Sequence, residues 1–136
     1  MSDIALAEKV SARGVKCRRM NLSRKTAPCP KCSTVSKRHS IGQRTLREVG
    51  ISSPTILEIT YSKHYCMTCR KHFSIPMDHL AQPSGRFTNR VRRTAVALVV
   101  KEALTLEKAT LRMRQKYYVH IPPTTLHDWV AVDTSP

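Results

Sequence analysis

Two C-x-x-C pairs, Cys29/Cys32 and Cys66/Cys69, stand 33 residues apart in a chain of 136. Each pair is short enough to bend into a knuckle that turns both sulfurs toward one ion, and two knuckles supply the four ligands of a tetrahedral site. The spacing therefore predicts a closed structural zinc site made by Cys29, Cys32, Cys66 and Cys69, with an iron cluster as the minor alternative. Segment 27–78 has few large apolar side chains, so a unit this small needs such a staple to fold. Zinc would contribute its folding free energy directly. The fifth cysteine, Cys17, has no neighbour at ligand spacing and reads as a free or part-buried thiol.

Between the knuckles the pattern is that of strands. "TILEITYSKHYC" (55–66) alternates, with Leu57, Ile59, Tyr61 and Tyr65 on one side and Glu58, Thr60, Ser62 and His64 on the other. The apolar side is expected to face inward. "RHSIGQRTLREV" (38–49) is its expected antiparallel mate and "KHFSIP" (71–76) a short third strand. Phe73 is expected to pack on the strand that carries Tyr61; base stacking by Phe73 or Tyr65 is the less favoured role. His39, His64 and His72 read as surface or nucleic-acid-facing groups.

From residue 88 the period becomes helical. Val91, Ala95, Leu98 and Val99 share one face of a helix over about 88–102. Thr105 suits the N-cap of a second helix with Leu106, Ala109 and Met113 inside. "IPP" (121–123) breaks the chain, and Thr124 is the expected cap of a third helix whose apolar face is Leu126, Trp129 and Val130. The fold class expected is α+β: a small four-cysteine zinc ribbon of antiparallel strands (27–78), then a three-helix helix-turn-helix unit (86–132). Residues 1–26 read as a basic arm or edge element, too poor in apolar side chains to pack.

Charge points to the partner. Lysine and arginine total 24 against 9 acidic residues, a formal net charge of +15. Residues 9–47 hold twelve basic side chains and no acidic one, residues 86–116 hold nine and two, and no Lys or Arg follows Lys116. A patchy field of this kind fits an extended polyanion, double-stranded DNA first. Lys31, Lys37, Arg38, His39 and Arg44 around the first knuckle would lie against it. Arg86, Arg90, Arg92, Arg93, Arg112, Arg114 and Lys116 would contact phosphates and fix orientation. Thr124, Thr125 and His127, with Asp128, are the candidates for base edges. None is the bidentate Arg, Asn or Gln that reads a base best. The longest apolar run, "AVALVV" (95–100), is far below the about 20 residues that span a bilayer, and no leader is visible. The expected location is the cytoplasm, with the nucleoid.

The motifs "CPKCSTVSKRHSIGQRTLREV", "ITYSKHYCMTCRKHF", "GRFTNRVRRTAVALVVKEALTLEKATLRM" and "IPPTTLHDWV" together resemble the N-terminal part of bacterial insertion-sequence transposases of the ISL-three group. The resemblance rests on Cys29, Pro30, Cys32, His39, Ser40, Arg44, Leu46, Cys66, Cys69 and Phe73, then Arg86, Phe87, Thr88 and Trp129. It implies recognition of the terminal inverted repeats of a mobile element. The catalytic domain of those transposases, a ribonuclease-H-like fold with three acidic metal ligands, has no counterpart in residues 1–136. The expectation is thus a DNA-binding module of transposition and DNA recombination that is not itself an enzyme. Its partners would be DNA and either another copy or a catalytic domain outside this chain. A stand-alone regulator or a protein-interaction module, using the Tyr117, Tyr118 and Trp129 stretch, is the rival reading.

Overall fold

The computed structural model describes residues 14–134. A five-stranded mixed sheet precedes three helices: β1 (Lys16–Leu22), β2 (Thr26–Pro28), β3 (Val35–Glu48), β4 (Thr55–Cys66), β5 (Lys71–Ser74), α1 (Asn89–Val100), α2 (Leu106–Tyr117) and α3 (Pro123–Asp133). β4 is the spine of the sheet. β3 runs antiparallel along one side of it, from Glu48 opposite Thr55 to Arg38 opposite His64. The other side is shared: β1 pairs in parallel with Thr55–Tyr61, and β5 pairs antiparallel with Lys63–Cys66. β2 pairs antiparallel with the start of β3, from Thr26 opposite Lys37 to Pro28 opposite Val35.

The first 13 residues of the expected basic arm lie outside the described residues. The part that is described is an edge strand, and it does pack. Met20 and Leu22 of β1 border the cluster of Leu46, Leu57, Ile59 and Ala81, alongside Tyr61, Met77 and Leu80. Parallel pairing with β4 satisfies the backbone that the sparse apolar content alone could not hold. Arg19 of β1 also meets Glu58 of β4 at 3.1 Å.

The alternation read in β4 holds, but the covered face changes along the strand. Leu57 and Ile59 are buried in the lower half, whereas Ser62, His64 and Cys66, from the opposite side, are buried in the upper half. His64 is thus an interior group and not the surface one expected. Its Nδ1 lies 3.0 Å from the Ser36 carbonyl, which can only accept, so the ring proton is assigned to Nδ1. Nε2 then accepts from the Ser62 hydroxyl at 2.7 Å, and that hydroxyl accepts the Arg24 amide at 3.0 Å. Phe73 stacks on the His64 ring at a centroid distance of 5.4 Å. A hydrogen-bonded ring therefore fills the place that aliphatic side chains take lower down.

The helices enclose their own core of Val91, Ala95, Leu98, Ala109, Met113, Val119, Ile121 and Leu126. Thr88 and Thr105 cap α1 and α2 through their hydroxyls. Tyr118 closes α2 in the left-handed region (φ 59°). The expected cap at Thr124 is not made: α3 starts two residues earlier, with Pro122 at the cap position and Pro123 leading the helix. Proline's fixed φ and missing N–H suit that first turn, so no side-chain cap is used.

Sheet and helices are joined by backbone. Arg47 donates its amide to the Arg86 carbonyl (2.7 Å) and accepts from the Thr88 amide (3.0 Å). Gly50 donates to the Tyr117 carbonyl at 2.8 Å; a Cβ there would lie 2.1 Å from the Ser53 carbonyl oxygen, so only glycine fits. The buried Thr88 hydroxyl donates to Glu48 Oε1 at 2.8 Å, and the Val49 amide donates to the same oxygen. Thr88 therefore both caps α1 and satisfies a buried carboxyl, whereas Thr105 caps in the open. Replacing Thr88 with Val is expected to cost roughly 2–3 kcal/mol in denaturant unfolding, and Thr105→Val about 1 kcal/mol. Equal losses at the two sites would show that the Glu48 contact carries nothing.

Candidate metal centre and basic surfaces

The two knuckles are the β2–β3 and β4–β5 turns. Adjacent pairing of β3 with β4 brings both to the same end of the sheet. Each is built alike: the residue after the second cysteine, Ser33 or Arg70, takes a left-handed conformation (φ 63° and 54°) that turns the chain back. In the first knuckle the Lys31 amide reaches Cys29 Sγ at 3.5 Å; in the second the Cys69 amide reaches Cys66 Sγ at 3.3 Å. At Cys29 the Lys31 amide favours the thiolate. The Sγ atoms of Cys29, Cys32, Cys66 and Cys69 lie within 4.8 Å of one another, and the four could hold a metal ion. Across the knuckles, Cys29 and Cys69 are 3.9 Å apart and Cys32 and Cys66 are 3.4 Å apart. Cys17 lies elsewhere, in β1 opposite Ile56.

Proton distribution among the sulfurs is uneven. Hydrogen bonding with the Thr34 hydroxyl, 3.1 Å from the sulfur, and with the Thr34 amide brings Cys32 down to about 6. Cys29 is lowered too, by the amides of Cys32 and Lys31. Cys69, which shares its proton with the Cys32 sulfur and is partly desolvated, is pushed up to about 12. Without a cation the cluster keeps at least that proton at neutral pH, and an ion that takes all four sulfurs must displace it.

The predicted basic residues fall into groups. Lys31, Lys37, Arg38 and His39 are exposed around the metal end, as are Arg86, Arg90, Arg93, Arg112, Arg114 and Lys116 near or on the helices. Two others act inside the chain. Arg44 Nη2 donates to the Gln82 and Gly85 carbonyls and ties the linking segment to β3. Arg92 holds Asp133 of α3 through two bonds of 2.6 and 3.2 Å and lies over Trp129 at 5.8 Å. Both guanidiniums thus have partners within the chain, with N–H donors left over on each.

Thr124 and His127 are exposed on the first turns of α3, and Thr125 is half-buried. Thr125 lines a cleft of about 380 Å³ with Arg47, Arg86, Phe87, His120, Pro122 and Trp129. Arg47 and Arg86 also line a neighbouring cleft of about 540 Å³ beside β4. Arg47 was not among the expected residues. Its position on the outer face of β3, one step from the buried Leu46, was the signal that marked it. No helix among the described residues is long and apolar enough to cross a membrane.

Comparison with protein-family models, with curated proteins and with solved structures found no match.

Thiol chemistry follows from the uneven protons. A brief pulse of limiting iodoacetamide at pH 7, given to metal-free protein while the knuckles are still folded, should alkylate Cys32 first, since it is both exposed and mostly thiolate, and Cys69 last; once that end melts the order should be lost. The Cys32 rate should fall as pH drops through about 6, because its nucleophile becomes protonated. Mass mapping of the labelled peptides checks the order, and a Cys69-first pattern would refute it.

Proposed function

We propose that the chain is a DNA-binding module in which a zinc ribbon and a helix-turn-helix unit act on one duplex. The observation that carries the reading is the joint between sheet and helices. There Arg47 and Arg86 stand in one cleft with Thr125 of α3, so phosphate-holding cations and a potential base-edge group adjoin. Arg90 and Arg93 are exposed on α1, and α3 packs by Leu126 on the helical core with Thr124 and His127 outward. In that role α3 enters a major groove while the arginines fix its register.

Zinc is the ion this donor set suits best. Four thiolates without a carboxylate or an open position are the ligands of a structural zinc, and ligation at about 2.3 Å in a tetrahedron places sulfurs about 3.8 Å apart. The cross-knuckle distances of 3.4 and 3.9 Å lie on either side of that. The resemblance to ISL-three-group transposases gives the reading a biological setting, recognition of the ends of a mobile element, with strand cleavage assigned to another domain.

Two outcomes test the two halves. A strong chelator, or Cys66→Ser, should melt the metal end of the sheet and leave most of the helical circular dichroism, since the helical core is separate from it. A spectrum indifferent to both would remove the structural zinc. For DNA, affinity should fall about 10³-fold between 50 and 200 mM salt if about six phosphates are contacted. Arg90→Ala should flatten that salt slope with little change in melting temperature. Arg92→Ala should do the reverse, costing about 1–2 kcal/mol of stability through Asp133 and Trp129. A flat salt response would sink the duplex-binding reading.

A further inference from the structure

The upper half of the sheet has one covered face and one open one. His64, Cys66 and Phe73 belong to the covered side, where Phe73 lines a cleft with Ala27, Cys29 and Ile75. The open side carries Tyr65, His72 and His39. Tyr65 and His72 sit directly opposite each other across β4 and β5. The register of β3 shifts between Arg38 and Ser40, and His39 is the residue at that irregularity. The shift sets its ring against His72. His72 lies 4.9 Å from each neighbour, at 76° to His39 and 58° to Tyr65.

In an edge-to-face pair one ring's edge meets at most one face of its neighbour, so the opposite face is not taken up by that contact. The three form a ridge between two shallow clefts. One, about 420 Å³, is lined by Lys37, Arg38, His39 and Tyr65 with Val35 and Met67 at its rim; the other, about 350 Å³, is lined by His39, Lys63 and His72. Val35 and Met67 are 70% and 81% exposed, which is far more than packing alone would leave. No acidic residue occurs between Glu8 and Glu48 or between Glu58 and Asp78. Accordingly the two clefts beside the ridge are lined by Lys37, Arg38 and Lys63 and by no acidic side chain.

We propose that this open face binds unpaired nucleotides of a DNA strand, with His72, Tyr65 and His39 stacking on bases and Lys37, Arg38 and Lys63 holding the intervening phosphates. Aromatic rings set in a basic surface are what single strands use, because only unpaired bases offer a free π-face. A duplex keeps those faces stacked inside, so it would meet the cations and not the rings. The proposal rests on the DNA-binding reading and deepens it: the helices and joint cleft hold duplex, and the metal end of the sheet holds strand that has come unpaired.

The test uses the full metal-loaded chain and three fluorescent probes of one length: a mixed-sequence single strand, its duplex, and an abasic single strand. The unmodified strand should bind at least fivefold tighter than the abasic one, a comparison that needs no variant to fold. His72→Ala should weaken the single strand about 5- to 150-fold, as loss of one stacked base does, and the duplex less than threefold. His72→Phe should restore strand binding, since it keeps the ring and drops the imidazole. Equal affinity for abasic and normal strands overturns the stacking proposal, as does equal loss on strand and duplex or a failure of Phe to restore. Displacement by polyglutamate as effective as by the strand would mark the face as a general polyanion surface and overturn it as well. If duplex binds and the ridge variants change nothing, only this proposal falls; if no probe binds at low salt, the parent reading falls with it.

Discussion

The upper half of the sheet has almost no oil to hold it. Where β4 passes from Ile59 to Cys66, the buried side chains change from aliphatic groups to a hydroxyl, an imidazole and a thiol. Burying such groups is favourable only when every one has a partner. The partners here are few and specific: the Ser36 carbonyl and Ser62 hydroxyl for His64, the Arg24 amide for Ser62, and three other sulfurs for Cys66. The four-sulfur cluster closes this network from above. Without it, two knuckles and the short β2 and β5 would be held by backbone pairing alone, and two-strand ribbons of that length are marginal in water.

The dependence runs downward from there. Closing the knuckles fixes the ends of β3 and β4 against each other, and β3 in turn delivers Arg47, Glu48 and Gly50 to the helices. Glu48 is the hinge of that transfer, since one carboxyl oxygen serves both the Thr88 hydroxyl and the Val49 amide. The helical unit has a complete apolar core of its own, so it depends on the sheet for its orientation more than for its existence.

Much of this was legible because short-range rules governed it. The long strand and helix patterns, the cap at Thr105 and the four-sulfur cluster follow from alternation, helical period and cysteine spacing, all of which act within a few residues. What escaped depended on partners far along the chain. The period of two assigned sides in β4 correctly, but which side is inside is decided by neighbours, Ala81 and Met20 below and Ser36 and Arg24 above. The pairing of Arg92 with Asp133 was hidden because the two lie 41 residues apart. The Pro122–Pro123 start of α3 was missed for a different reason: a threonine is the commoner cap, yet proline at the first position already supplies the geometry.

The cysteine pairs and the cations around them answer each other electrostatically. A divalent ion held by the four thiolates would leave a net charge of −2 at that end of the sheet. Lys31, Lys37, Arg38, Arg70 and Lys71 are exposed around that point. Cations on the surface around an anionic centre favour its ion-bound state, by an attraction that solvent and salt screen. The same cations in an acid-free run of a +15 chain repel one another, a strain that an approaching polyanion relieves. The basic block therefore has one local role and one long-range role. It lowers the cost of gathering four thiolates, and the positive charge in excess of what the metal centre neutralises remains at the surface, on the open face where phosphate can meet it.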